Sequence, residues 1–267
     1  MLLADKVVIV SGIGPGLGVK LAVAAAQEGA RAVVLAARTP QKLADAQEQI
    51  QALGTSCETL AVATDICERA QCERLVEAAI DKFGRIDALV NSAYYHGNFE
   101  PVESADLDEW QRVVNTNLIG TMQLTQAVIP SMKARGQGAI VNINTMATRK
   151  PAIMAAGGES GYAASKAALA AATKYLAAEL GSSGIRVNSA LMGWMWGAPV
   201  QGYVEYAAEQ QGVSQEEIIA PIARNIPLGR IVTDEECARA ALFLVSDYAS
   251  AVTGASLDVN GGEYMPA

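Results

Sequence analysis

The stretch with the clearest chemical content is Tyr162-Ala163-Ala164-Ser165-Lys166, at the start of a segment that continues through Leu169, Tyr175, Leu176 and Leu180 at helical spacing. Residues four apart share a helix face, so the phenol and the ammonium project to the same side, one turn apart. A phenol with an ordinary pKa near 10 is a poor acid–base catalyst at neutral pH, and a neighbouring cation favours its phenolate. Such a pair donates a proton to a ketone or takes one from an alcohol. The same spacing also describes an ordinary pair on a helix surface, so the surroundings decide between the two.

A second candidate is Ser11-Gly12-Ile13-Gly14-Pro15-Gly16-Leu17-Gly18, directly after the apolar run Val7 to Val10. Glycines between a strand and a helix permit a tight turn and close approach of a diphosphate, whose charge the free N–H groups of the helix start favour. The turn is also compatible with a purely structural role. Its spacing differs from G-x-G-x-x-G, and the Gly-Lys-Ser/Thr ending of an ATP loop is absent. At the end of the second apolar run the chain reads Ala36-Ala37-Arg38. A guanidinium there suits the 2′-phosphate of NADP better than the free diol of NAD, although a solvated cation before a helix is the plainer alternative. Asp65, after the third run, either bonds an adenine amine or caps the next helix.

The elements that must position these groups follow from the hydrophobic pattern. Short apolar runs recur at Val7–Val10, Ala32–Ala36, Leu60–Val62, Ile86–Val90, Ala139–Ile143, Ile185–Val187 and Leu257–Val259. Several lack alternation, as strands buried on both faces do. Helices are predicted between them: from about Gly16 to Glu28; after Thr39 as N-cap with Pro40 at the first position; between Glu68 and Phe83 with Gly84 as the stop; and from Asp108 to about Ala134. Alternating strands and helices predict an α/β fold: one Rossmann-type, doubly wound parallel sheet of about seven strands with helices on both faces.

The 267 residues carry a net charge of −8 and are 51% hydrophobic, which disfavours a nucleic-acid or membrane-surface partner and provides ample core. Cys57, Cys67, Cys72 and Cys237 form no C-x-x-C pair and His96 is the only histidine, so neither a zinc site nor a disulfide framework is expected. A nucleophile triad would rest on His96 alone, with no evident partner. The N-terminus shows no signal-type apolar region, and the expected location is cytoplasmic. No linker divides the chain, so residues 1–267 read as one domain. The segment 194–226, with Trp194, Trp196, Pro199, Tyr203 and Tyr206, is either a substrate lid or an extra surface helix pair with buried aromatics.

Taken in order, these features resemble the short-chain dehydrogenase/reductase family across essentially the whole chain. The matching points are the Ser11–Gly18 loop, Asp65, Asn91-Ser92-Ala93, Asn117 within Val114–Leu118, Tyr162 with Lys166, and Ile185-Arg186-Val187-Asn188. Further on come Pro227-Leu228-Gly229-Arg230, Thr253-Gly254 and Asp258-Val259-Asn260-Gly261-Gly262. The resemblance implies a tetrad: Tyr162 as general acid/base; Lys166 lowering its pKa and bonding the nicotinamide ribose; Asn117 anchoring a relay water; and Thr145 where the family has serine, with Ser160 a competing hydroxyl. It also implies cofactor contacts from Gly12, Gly14, Gly16, Leu17, Gly18, Arg38, Asp65, Ile66, Asn91, Ser92, Ala93 and Gly193, in addition to Tyr162 and Lys166. Three departures concern the substrate side: Tyr94 replaces a glycine, Met192-Gly193 replaces Pro-Gly, and the loop Met146–Gly161 is longer than expected.

The implied reaction interconverts a secondary alcohol and a ketone with NADP(H), or else NAD(H). A pocket formed by Tyr94, Tyr95, Met146, Met154, Trp194, Trp196 and Tyr203 would favour a hydrophobic or cyclic substrate, although the same side chains would serve equally as core or subunit contacts. The alternatives are a 3-oxoacyl thioester reductase working on an acyl carrier protein and, from another class, a non-catalytic dinucleotide-binding scaffold. By analogy with the family, the long helices after Asp108 and Tyr162 pair copies into a homotetramer or a homodimer.

Overall fold

The computed structural model describes residues 1–151 and 158–266. Its strands and helices alternate as β1 (Val7–Ser11), α1 (Leu17–Gln27), β2 (Ala32–Ala37), α2 (Pro40–Ala52), β3 (Glu58–Ala63), α3 (Arg69–Phe83) and β4 (Ala88–Asn91). Then follow α4 (Leu107–Val114), α5 (Thr121–Arg135), β5 (Gly138–Thr145), α6 (Ser160–Leu180), β6 (Ile185–Met192), β7 (Met195–Trp196), α7 (Ala198–Gln211), α8 (Gln215–Arg224), β8 (Val232–Thr233), α9 (Asp234–Val245) and β9 (Ser256–Val259).

Seven strands form one parallel sheet in the order β3-β2-β1-β4-β5-β6-β9. They coincide with the seven apolar runs. Every residue of β1 is buried, which is why its sequence shows no polar alternation. Val8 and Val10 pack with Leu21, Leu43 and Leu242 on one face, and Val7 and Ile9 pack with Leu75, Leu124 and Leu176 on the other. The strand order reverses beside β1, whose Ser11 is level with Ala36 on one side and Asn91 on the other. Loops leaving the carboxyl ends there diverge and open a crevice, the usual ligand position in such sheets.

Helix ends follow the local rules. Gly84 closes α3 at φ +76°, and Pro40 opens α2 after Thr39, although the Thr39 side chain makes no cap hydrogen bond. The continuous helix expected from Asp108 to Ala134 is instead interrupted by a π-helical turn over Asn115–Gly120, between α4 and α5. The wider turn carries Asn117 inward, fully buried, where its amide meets polar partners on two other segments. Hydrophobic periodicity does not reveal this interruption. A second small sheet pairs β7 with β8, and the segment 194–226 also contains the helix pair α7 and α8. Among the described residues, no helix is long and apolar enough to cross a membrane.

Candidate active site

A cavity of about 650 Å³ lies at the carboxyl ends of the strands, running from Arg38 and Lys42 past the glycine turn to Tyr162 and Trp194. Its floor is the β1–α1 turn. Gly12 has φ +85°, and a Cβ there would collide with the backbone nitrogen of Ala93, so only glycine lets the two loops meet. At Gly14 a Cβ would meet nothing within 4 Å, so this part of the turn is open to the cavity. The first turn of α1 has no acidic side chain, leaving its N–H groups to a negatively charged ligand. These features fit a dinucleotide diphosphate.

Gly16, Leu17, Gly18, Asp65, Ile66, Ser92, Ala93 and Gly193 all line the same cavity, together with exposed Arg38. Asp65 accepts a hydrogen bond from the Cys67 backbone N–H at 3.0 Å, so its carboxylate serves a local turn while bordering the cavity. Asn91 departs from expectation. It is buried, does not line the cavity, and donates to Asn142 at 2.9 Å and Thr125 at 3.1 Å. Asn142 donates in turn to Thr173, so Asn91 ties the sheet to α5 and α6. It sits at the end of β4, where its side chain points into the helix layer; its neighbours Ser92 and Ala93 provide the cavity wall.

At the far end, α6 presents Tyr162 and Lys166 and β5 presents Thr145. The Lys166 ammonium, almost wholly buried, donates to the Ile143 carbonyl at 2.8 Å and lies 5.9 Å from the Tyr162 ring centre. Burial lowers its pKa to about 8. Burial pushes Tyr162 up, Tyr94 and Glu159 add to the rise, and the Thr145 hydroxyl opposes it. Thr145 also accepts from the Ala147 N–H at 3.2 Å, which orients its hydroxyl. Ser160 has a buried hydroxyl with no partner among the described residues and does not line the cavity, which leaves Thr145 as the hydroxyl at Tyr162.

Asn117 is tied to two other segments by its side chain. Its amide exchanges two hydrogen bonds with the Tyr95 backbone, at 2.8 and 2.9 Å, and donates to Ser165 at 2.9 Å. Both amide protons are committed, so the side chain holds the Tyr94–Tyr95 segment against α6.

On the substrate side, Tyr94 and Trp194 line the cavity, with Tyr94 half-exposed and its ring 6.1 Å from that of Tyr162. Trp196 and Tyr203 do not line it. Trp196 is drawn into the β7–β8 pair, and Tyr203, on α7, lies 5.9 Å from Trp194 with the rings tilted by 37°. Met146 is buried, and Met154 lies outside the described residues. The aromatics of the helix pair are not buried as the alternative reading required: Tyr203 and Tyr206 are 49% and 63% exposed.

Three residues that the sequence reading left unassigned belong to this site. His96 and Glu159 line the cavity beside Tyr162, and Asp234 lines it near Gly16. Glu159 could have been found from its place three residues before Tyr162, on the same helical face. His96 carried only the signal of being the single histidine, just after the fourth strand.

A reversal point in a parallel sheet, a glycine turn against a helix start, and a phenol, ammonium and hydroxyl in one cavity define a nucleotide-linked oxidoreductase. A family model described as enoyl-(acyl carrier protein) reductase matches residues 12–263. The chain is 33% identical to the short-chain reductase protein NovJ of Streptomyces niveus over 259 residues, 97% of this chain and 94% of that one. It is 32% identical to the 3-oxoacyl-[acyl-carrier-protein] reductase FabG of Thermotoga maritima over 262 residues, covering 98% and 99%. The crystal structure of L-sorbose reductase from Gluconobacter frateurii, complexed with NADPH and L-sorbose, superposes with a TM-score of 0.91 at 28% identity, covering 100% and 99%. The chain belongs to the short-chain dehydrogenase/reductase family. It is an NAD(P)-dependent oxidoreductase that interconverts alcohol and carbonyl groups.

Proposed function

We propose that the chain acts on secondary alcohols and ketones with NADP(H) in preference to NAD(H), and that its substrate is apolar or cyclic. The observation that carries the reading is that Tyr162, Lys166 and Thr145 line one end of the cavity whose other end is the glycine turn. When bound, the nicotinamide supplies or accepts the hydride. Tyr162 gives the proton to the carbonyl oxygen or takes it from the alcohol, Thr145 holds that oxygen by its hydroxyl, and Lys166 supplies positive charge beneath the pair. Preference for NADP(H) is supported by Arg38 and Lys42, both at the far end of the cavity, which together offer two cations to a 2′-phosphate. Tyr94 and Trp194 supply flat apolar walls.

Residues 194–226 act as the lid: Trp194, Pro199 and Val200 border the cavity, while the rest of α7 and α8 lies outside it. The protein works in the cytoplasm, with its four cysteines free, and assembles into a homotetramer through the π-interrupted helix and α6, where Leu107, Ile119 and Tyr175 are exposed.

The test is NADPH oxidation by the purified chain against a panel of cyclic and open-chain ketones and against an acetoacetyl thioester. Higher kcat/KM on cyclic ketones is expected. Preference for the thioester would instead support the acyl-carrier reading, which the similarity to FabG favours. NADPH binding without turnover of any carbonyl would support the scaffold reading.

A further inference from the structure

His96, the single histidine of the chain, is clamped between two rings. One face lies on Tyr162, with ring centres 4.5 Å apart at 20°, and the other on Phe99 at 4.4 Å and 22°. Its Nε2 is 2.9 Å from Glu159 Oε1. An ionised carboxylate only accepts, so opposite ionised Glu159 the Nε2 carries the proton, and a ring with no second proton has a bare Nδ1. That nitrogen is buried and has no partner among the described residues.

The placement is built in by the backbone. Gly97 has φ +78°, and a Cβ there would lie 2.6 Å from Val113 Cγ2. Gly158 has φ +68°, and a Cβ there would lie 2.5 Å from the Glu100 nitrogen. Two loops distant in sequence are thereby pressed together beside the phenol.

We propose that His96 is a positioning residue for Tyr162: the stack sets the angle of the phenol ring, and the proton carried by the His96–Glu159 pair sets how readily Tyr162 gives up its own. The inference rests on the reading of Tyr162 as the proton donor. The sign follows from charge. With the imidazole protonated, Glu159 is offset and phenolate is favoured. With the imidazole neutral, the carboxylate stands uncompensated and opposes phenolate, in keeping with its effect on Tyr162.

Several other ionisable groups surround the ring. Tyr94 and Tyr95 lie on its own loop. Glu100, Asp106 and Glu109 surround a second cavity, of about 10 Å³, that His96 also lines. Glu109 is paired with Arg112 and accepts from the Tyr95 hydroxyl, and Lys166 lies 5.9 Å from the Tyr162 ring centre. None of these changes in variants confined to His96 and Glu159, so a difference between such variants belongs to the pair.

The test combines pH profiles of alcohol oxidation with ¹⁵N spectra of the full chain labelled at its one histidine. NADPH titration confirms that each variant is folded. Wild-type spectra should show the neutral ring protonated at Nε2, and the pH at which the imidazole signals move should coincide with a break in kcat/KM. His96→Phe keeps a flat ring and should hold kcat within about threefold while losing that break, whereas His96→Ala should lose about tenfold or more in kcat. Glu159→Gln should move the rising limb of the profile, where Tyr162 ionises, down by about half a pH unit or more. Limbs for His96→Phe and Glu159→Gln that superimpose on wild type, or an unchanged kcat in His96→Ala, would overturn the proposal. Tyr162→Phe separates the two levels: if it is inactive while the limbs stay put, only the role of His96 falls. If it retains turnover, Tyr162 is not the donor and the reading beneath the inference falls as well.

Discussion

The two ends of the cleft are built by different means. The nucleotide end consists mainly of backbone: a glycine turn, the N–H groups of a helix start, and loops that touch because Gly12 has no side chain. The substrate end consists of side chains brought from four segments: Tyr94 and His96 after β4, Thr145 from β5, Glu159 and Tyr162 at the start of α6, and Trp194 after β6. A common ligand part, the diphosphate, is met by groups every residue possesses. A particular ligand part is met by groups only certain residues possess. The difference explains why one end is readable as a motif and the other is not.

The largest effect expected from breaking this contrast is at Tyr162. Tyr162→Phe should reduce turnover about a thousandfold or more while NADPH affinity, measured by fluorescence titration, changes less than about twofold. Lys166→Ala should impair both quantities, because Lys166 stands between the two ends. At the nucleotide end, Arg38→Asp should shift the ratio of kcat/KM for NADPH over NADH by about thirtyfold toward NADH. An unchanged ratio would sink the 2′-phosphate argument.

A smaller change is expected at Asp234. Its carboxyl lines the cavity near Gly16, where a diphosphate would lie, and burial together with Glu235 raises its pKa while Lys20 opposes. Asp234→Asn removes a like charge and should tighten NADPH binding about threefold. Weaker binding in that variant would mean the carboxyl does not face the diphosphate.

The finest test concerns Lys166 in the ligand-free chain. Its pKa is lowered by burial from 10.5 to about 8, so across that interval the unfolded chain binds more protons than the folded one. Stability therefore rises with pH from about 8 to 10.5 and is flat in this term below about 8. Measured against Lys166→Met, the wild type should gain in melting temperature over that window, and parallel curves would contradict the assigned burial.

The legibility of the fold has a physical basis that particular elements make plain. β1 is buried on both faces, so its residues had to be Val-Val-Ile-Val, and Gly84 had to be glycine to end α3 at positive φ. The π turn was hidden, because Asn115 to Gly120 carries no periodicity that differs from an α-helix. Asn117 was found as a residue of interest, but its occupation by Tyr95 and Ser165 depends on segments 22 and 48 residues away. For Trp196 and Tyr203 the sequence leaves cavity wall and core or subunit contact equally open, because residue type and chain position do not say which way a ring points.

From its residue order alone, the chain settles the alternation of strand and helix, the glycine turn, and the i, i+4 pairing of Tyr162 with Lys166, since each depends on neighbours within a few positions. Tertiary packing decides the rest: that Asn91 faces the helices and not the cavity, that the phenol is governed by burial, and that the lone histidine rests on it. Those outcomes come from through-space contact between distant segments, which no local spacing encodes.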